Sequence, residues 1–168
     1  FGKDADKVSP YVASTFYAVD RYATYKKELE EYYENGGLIL ADRYTTANMV
    51  HQAGKIHDKI KRKKFLDWLW DLEFNMYKIP VPTKVFFLNM PIEYSLKLME
   101  NRKNKFDKNA TKDIHESNET YLKECYEAAC EVAKEYNWEE IKCVKDGQIR
   151  TRDNIAKEIF EIVKKIIR

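Results

Sequence analysis

The sequence predicts an α/β fold in which helices cover a parallel sheet, and three observations support this prediction. Short apolar runs alternate with long amphipathic segments along the chain. The runs have the length of strands, and the segments have the length and period of helices. Strands that alternate with helices form parallel sheets joined by crossover helices. The length of 168 residues suits one compact domain, residues 1–168.

The first predicted element is a helix that begins at Ser9-Pro10 and ends at Asn35. Ser9 suits the N-cap, and Pro10 suits the first helical position. Gly36 and Gly37 end the helix. Four apolar residues recur at helical spacing, and we expect them to face the core: Val12, Phe16, Val19 and Ala23.

Three short runs are predicted as strands of the sheet. Leu38–Ala41 is wholly apolar, as expected for a strand that is buried on both faces, and Lys84–Asn89 resembles it. Glu140–Val144 is the third strand. Ligands of parallel sheets bind at the carboxyl ends of the strands. We therefore expect Asp42 and Arg43, which follow the first run directly, to lie at the functional edge.

The remaining helices follow from the same periodicity. A connector, IPVPTK, is extended because two prolines exclude a helix there. The basic run Lys59–Lys64 is predicted to be a solvated helix face. The predicted helices are Lys59–Tyr77, Pro91 to about Arg102, Ile114–Tyr136 and Thr151–Arg168.

Composition limits the classes of partner. Lys and Arg number 30 against 28 Asp and Glu, and this near balance argues against a dedicated nucleic-acid-binding protein. The longest apolar stretch, near Val85–Met90, is too short to span a membrane. An odd number of cysteines without metal-site spacing predicts reduced thiols and a cytoplasmic location. We therefore expect neither nucleic acid nor membrane as a partner.

Asp42 and Arg43 are candidates for phosphate and metal chemistry. An arginine can donate two parallel hydrogen bonds to phosphate oxygens, and a neighbouring carboxylate can orient it or join a Mg²⁺ shell. The alternative is a salt bridge at the end of a strand, or charges that reach solvent.

Two further pairs have the spacing of a base-binding site. Tyr17 and Arg21 are four residues apart on a helix, so they could stack on a base and donate to its carbonyl, or form a surface pair. Asn48 and Gln52 have the same spacing, and their amides suit the edge of a base. His51 has no partner at the spacing of a catalytic triad or metal site, so it is predicted to be packed or exposed.

The segment from Arg102 to Lys112 is basic and has no periodicity. It is either a solvated loop or, in a phosphoryl-transfer enzyme, a lid that supplies positive charge when it closes. Its predicted bounds are about 102–113.

Three stretches in order, FYAVDR, LILADRY with AN and HQ after it, and KVFFLNMPIEYSLKLMENR, resemble the thymidylate kinase family over essentially the whole chain. The resemblance implies a three-layer α/β/α fold of the P-loop kinase type. It also implies transfer of a phosphoryl group from ATP to dTMP, Mg²⁺ as cofactor and a homodimer.

The resemblance also implies a role for each candidate residue. Tyr17 would stack on thymine and Arg21 would contact the thymine carbonyl. Arg43 would bind the dTMP phosphate, with Asp42 supporting it and the metal. The remaining roles are Asn48 and Gln52 on the base side, His51 near the sugar, Arg102, Lys103 and Lys105 in the lid, and Lys145, Asp146 and Gly147 near adenine.

The phosphate-binding motif of that family is missing from these residues. The five glycines, at positions 2, 36, 37, 54 and 147, cannot form G-x-x-x-x-G-K-[ST]. A missing central strand would leave Leu38–Ala41 and Val85–Leu88 unpaired along one edge each. We therefore expect a longer polypeptide, whose N-terminal segment supplies that strand and the phosphate loop, and we expect no activity from this portion alone.

Three alternatives remain open at this point. The first is a related kinase that acts on another nucleotide or on a deoxynucleoside. The second is a non-catalytic homologue or helical interaction module, which the missing phosphate loop favours. The third is a basic nucleic-acid-binding module, which the near-neutral net charge of +2 disfavours.

Overall fold

The computed structural model of the protein describes residues 8–100 and 119–167. The chain divides into two compact units, Phe1–Pro82 and Thr83–Arg168, and each is described by itself. The described residues are rich in helix and contain one small parallel sheet. The coarse α/β class predicted from the sequence is therefore confirmed, while a single domain and a three-layer arrangement stay predictions.

The long first helix has the predicted extent, but its middle widens into a π-helix. The carbonyl of Ser9 accepts a hydrogen bond from the Ala13 amide at 2.9 Å, so the helix begins where predicted. It ends at Glu34 and is followed by a turn at Asn35 and Gly36, and the Gly36 φ of +83° is a left-handed conformation that glycine adopts without strain. Its parts are α1 (Pro10–Thr24), a π-helical turn (Tyr25–Leu29) and α2 (Glu30–Glu34).

The prediction for the buried side of α1 is wrong. Val12, Phe16 and Val19 keep half or more of their surface exposed, and Ala23 is exposed as well. Small side chains allow α1 to approach its neighbours in the first unit closely. The buried residues of α1 are Ala13, Ser14 and Ala18.

The predicted strand Leu38–Ala41 is not formed. The segment has no regular secondary structure, and Leu38, Leu40 and Ala41 are exposed, with Leu40 at 80% relative exposure. A strand needs a partner for its N–H and C=O groups, and residues 8–82 contain no strand that could provide one. Asp42 and Arg43 therefore do not follow a sheet edge. They precede a short helix, α3 (Thr45–His51), which is followed by a 3₁₀ turn (Ala53–Lys55).

The second long helix is confirmed as α4 (Lys59–Trp70), which continues into a π-helical segment (Asp71–Met76). The Asp58 carboxylate caps it by accepting a hydrogen bond from the Lys61 amide at 2.9 Å. Ile60, in the first turn of α4, is exposed. The buried apolar residues of α4 are Phe65, Leu66 and Leu69.

The second unit contains the parallel sheet. Strands β1 (Phe86–Asn89) and β2 (Glu139–Lys142) pair in parallel, which confirms two of the three predicted strands. The strand β1 is not buried on both faces, because Leu88 is half exposed. An antiparallel hairpin of β3 (Val144–Lys145) and β4 (Gln148–Ile149) was not predicted.

Three helices complete the second unit, and each agrees with a prediction over the described residues. The hydroxyl of Thr151 caps the last helix by accepting a hydrogen bond from the Asn154 amide at 3.2 Å. No helix among the described residues is both long and apolar enough to cross a membrane. The helices are α5 (Ile92–Glu100), α6 (Glu119–Glu135) and α7 (Arg152–Ile166).

Candidate functional site

A buried ion pair joins α1 to the π-helical segment that follows α4. The Arg21 Nη1 donates to Oε2 of Glu73, and Arg21 Nη2 donates to the Tyr44 carbonyl at 3.2 Å. The Glu73 side chain is completely buried, and the Arg21 side chain is 15% exposed. The Arg21 guanidinium also lies 5.5 Å from the centre of the Tyr44 ring. One side chain therefore connects three segments of the first unit.

The same carboxylate oxygen of Glu73 accepts a second hydrogen bond. The donor is the Thr45 hydroxyl at 2.9 Å, and Thr45 is the first residue of α3. Burial raises the pKa of Glu73 above its ordinary value, although Arg21 and Thr45 act in the opposite direction. Perturbed carboxyl groups occur at functional sites and in structural ion pairs, so this shift is compatible with either role.

Four buried polar atoms have no hydrogen-bond partner among the described residues. Leaving such an atom unpaired costs about 1–3 kcal/mol, and native structures contain few of them. Their residues are at most 7% exposed. The atoms are Ser14 Oγ, Asn48 Nδ2, Gln52 Oε1 and Glu73 Oε1.

These residues belong to adjoining elements. Thr45, Asn48 and Gln52 follow one another at helical spacing, and Gln52 donates its backbone amide to the Asn48 carbonyl at 3.0 Å. The helix α1 contacts both α3 and the π-helical segment. We call this group the polar cluster; its residues are Ser14, Arg21, Thr45, Asn48, Gln52 and Glu73.

Arg43 has a strained backbone beside this cluster. Its φ of +70° lies in the left-handed region, which is rare for residues other than glycine. Its Nη2 lies 2.8 Å from Nε2 of His51. An arginine can only donate, so Nε2 of His51 accepts and its proton resides on Nδ1. Such strain concentrates at functional sites, where the surrounding structure stabilises it.

The structure brings several predicted residues of the first unit near one another. Arg21 bonds the carbonyl of the residue after Arg43, while Arg43 bonds His51 on α3. Asp42 and Arg43 are both exposed. Tyr17 lies one turn before Arg21 but is 46% exposed, so the two residues have different surroundings.

The residues predicted to lie near adenine form a turn in the second unit. Asp146 and Gly147 have φ of +51° and +74°, as in the tight two-residue turns of β-hairpins. The Tyr94 hydroxyl donates to the Gly147 carbonyl at 3.1 Å. Lys145 precedes this turn in β3. The predicted lid, with Arg102, Lys103 and Lys105, lies outside the described residues.

A metal site is not assembled by these side chains alone. Across residues 8–100 and 119–167, no group of three or more His, Cys, Asp or Glu side chains could hold a metal ion. Asp42 is a single exposed carboxylate. Binding of Mg²⁺ at Asp42 therefore stays a prediction.

Glu73 was not among the residues predicted from the sequence. One signal could have identified it, because Glu73 follows Leu66 by seven residues and Leu69 by four, on the buried side of the helix. A carboxylate at a core-facing position requires a buried partner. The sequence does not reveal which cation provides it.

Comparison with known proteins gives two matches. The family model described as thymidylate kinase matches residues 3–148. A curated protein of Thermococcus kodakarensis, named probable thymidylate kinase, is 30% identical over 107 residues. The match covers 62% of this chain and 47% of that protein, so the chain spans about half the length of the curated relative it matches.

Proposed function

This chain belongs to the thymidylate kinase family, and we propose that it forms the acceptor-nucleotide part of an ATP-dependent kinase that converts dTMP to dTDP. The observation that carries the proposal is the polar cluster, in which four buried polar atoms lack partners among the described residues, beside a strained arginine. A buried set of donors and acceptors fits a polar ligand better than it fits a packed core.

The chemistry of the polar cluster matches the edge of thymine. Thymine carries ring carbonyl oxygens on either side of an N–H group, so it needs both donors and acceptors. Asn48 Nδ2 could donate to a carbonyl, and Gln52 Oε1 could accept from the N–H group. Tyr17 on α1 is our candidate for stacking on the base, and Arg21 for donating to a second carbonyl.

The phosphate of dTMP is assigned to Arg43. Its exposed guanidinium lies at the start of α3, and a guanidinium can bind two phosphate oxygens at once. His51 accepts one of its hydrogen bonds and thereby fixes its direction. Asp42, the preceding residue, would balance the charge of Arg43.

Transfer between phosphates needs no covalent intermediate on the enzyme. The contribution of these residues would be to hold the acceptor phosphate in line with ATP and to neutralise its charge. Mg²⁺, when it is bound to the phosphates of ATP, screens their negative charge. The motif that binds ATP phosphates is absent from the 168 residues, so we propose that another segment of the same polypeptide supplies it.

The missing phosphate-binding motif favours a second candidate function. A homologue without a phosphate loop could bind the nucleotide without transferring phosphate. A homodimer and a cytoplasmic location remain further proposals from the resemblance.

Equilibrium binding to the chain tests the proposal. The chain should bind dTMP more tightly than CMP, and Arg43→Ala should weaken dTMP binding by about 10-fold or more, as expected for loss of a charge-assisted hydrogen bond. Arg152→Ala, an exposed arginine of the second unit, is the matched control and should change little. Equal affinity for dTMP and CMP, or unchanged dTMP binding by the Arg43→Ala variant, would contradict the proposal.

A further inference from the structure

We propose that Glu73 is a positioning residue that fixes the Arg21 guanidinium and the backbone next to Arg43 for nucleotide binding. The inference rests on the function proposed above. It concerns a side chain that is completely buried and that lies in the π-helical segment Asp71–Met76. Glu73 itself is assigned no contact with the nucleotide.

A single carboxylate oxygen of Glu73 joins the two helices, α1 and α3, that carry residues proposed to contact the nucleotide. Oε2 accepts from Arg21 on α1 and from Thr45 at the start of α3. A free arginine side chain samples many rotamers, whereas a buried carboxylate selects one of them. The backbone of Glu73 is anchored as well, because its carbonyl accepts from the Ile79 amide at 3.2 Å.

From Arg21 the connection continues to the residue after Arg43. Arg21 Nη2 donates to the Tyr44 carbonyl, and the Tyr44 hydroxyl donates to the Pro80 carbonyl at 3.0 Å. Tyr44 is therefore held at its backbone and at its side chain. Because Arg43 adopts a strained left-handed conformation, a fixed neighbour helps to maintain it.

A purely structural ion pair would have the same geometry, so the two roles must be separated by experiment. If Glu73 acts through Arg21, its removal should matter only while Arg21 is present. If Glu73 only stabilises the fold, its removal should lower stability and leave the affinity of the folded protein unchanged.

The first experiment measures the dissociation constants of dTMP and thymidine for the full chain and for Glu73→Gln. Thymidine has the base and sugar but no phosphate. We expect both constants to rise by about 10-fold, as for loss of one charge-assisted hydrogen bond. Asn75→Ala changes an exposed residue of the same π-helical segment, and it should leave both constants within about 2-fold.

A folded Glu73→Gln variant with unchanged constants would overturn the inference and leave the proposed function intact. Failure of the unchanged chain to bind either ligand would overturn the proposed function, and the role of Glu73 in nucleotide binding with it. The two failures are thus distinguishable.

A second pair of variants applies if Glu73→Gln does not fold. Arg21→Gln removes the cation of the ion pair, and the double variant Arg21→Gln/Glu73→Gln replaces both charged groups by neutral amides. Positioning through Arg21 predicts that the added Glu73 substitution changes the dTMP constant by less than about 2-fold. An additional loss of about 10-fold or more in the double variant would contradict it.

A spectroscopic measurement reports on the guanidinium without any nucleotide. Nη1 and Nη2 of Arg21 donate to different acceptors, so their ¹⁵N signals should differ and rotation about the Cζ–Nε bond should be slow. Glu73→Gln should speed that rotation, while Asn75→Ala should not. Equal rotation in all three proteins would show that Glu73 does not fix the guanidinium.

Discussion

Nη2 of Arg43 donates to Nε2 of His51 at 2.8 Å, and the backbone of Arg43 is in the left-handed conformation, with φ of +70°. The two residues are eight positions apart, one before α3 and one at its end. The contact therefore spans the helix that also carries Thr45 and Asn48 of the polar cluster. It connects Arg43, the residue proposed to bind the phosphate, to the last residue of α3.

Arg43→Gly and Arg43→Ala should differ in stability but not in binding. Glycine adopts the left-handed conformation at Arg43 without strain, whereas alanine does not, so the glycine variant should be about 1 kcal/mol more stable. Both variants lose the guanidinium and should lose dTMP affinity alike. Urea denaturation together with a binding titration checks this, and an alanine variant as stable as the glycine variant would contradict the strain.

His51→Ala should weaken binding of dTMP and spare thymidine. Without Nε2 as acceptor, the Arg43 guanidinium loses one restraint on its direction, so affinity for the phosphate should fall several-fold. His51→Gln, which can still present an acceptor, should recover part of the loss. The readout is the ratio of the two dissociation constants. An equal loss for both ligands would mean that His51 acts on the base or sugar instead.

Arg21→Met should be more damaging than the paired change Arg21→Met/Glu73→Met. The single variant leaves a completely buried carboxyl group without its cation, which costs about 3 kcal/mol, whereas apolar residues at both positions restore much of that loss. Free energies of unfolding from urea titrations measure the difference. A double variant that is less stable than Arg21→Met alone would contradict this account of the pair.

The pH dependence of stability should carry a contribution from Glu73. Because burial raises the Glu73 pKa, the folded chain holds that proton more tightly than the unfolded chain does. Its contribution is therefore largest below the unfolded pKa of about 4.3, declines as the pH rises to the folded pKa, and is constant above that value.

Subtraction of the Glu73→Gln unfolding curve from that of the unchanged protein isolates this contribution. The difference in the free energy of unfolding should fall as the pH rises from the unfolded to the folded pKa of Glu73. Arg21→Met should enlarge the fall, because Arg21 is the main influence that lowers the Glu73 pKa. A difference that rises with pH would mean that the Glu73 pKa is lowered instead.

The sequence was sufficient for the longer helices and for β1 and β2, because their length and period are strong local signals, but the seven-residue helix α3 was not predicted. The sequence also failed for the buried side of α1, where Ala13, Ser14 and Ala18 pack closely and have weak hydropathy. Large apolar residues such as Phe16 gave the stronger pattern on the exposed side. The side of α1 that is buried depends on how closely neighbouring helices approach it, and the sequence of α1 alone does not contain that information.

In the candidate site, too, local signals were visible in the sequence and contacts between distant residues were not. Residue type and spacing made Arg21, Arg43, Asn48 and Gln52 candidates for the site. The partner of Arg21 was not identified, because Glu73 is 52 residues away along the chain and only folding brings the two together. The failed strand at Leu38–Ala41 has a related cause, since pairing depends on a partner strand and not on the run itself.

The most direct test of the central claim is an NMR titration of the chain with dTMP that follows side-chain amide signals. If the polar cluster binds the base, the Asn48 and Gln52 amide signals should shift in saturable fashion. The Asn35 amide donates to the Glu31 carbonyl at an exposed helix end and should not shift. Saturating dTMP that leaves the Asn48 and Gln52 signals unchanged would contradict the assignment of this cluster to the acceptor nucleotide.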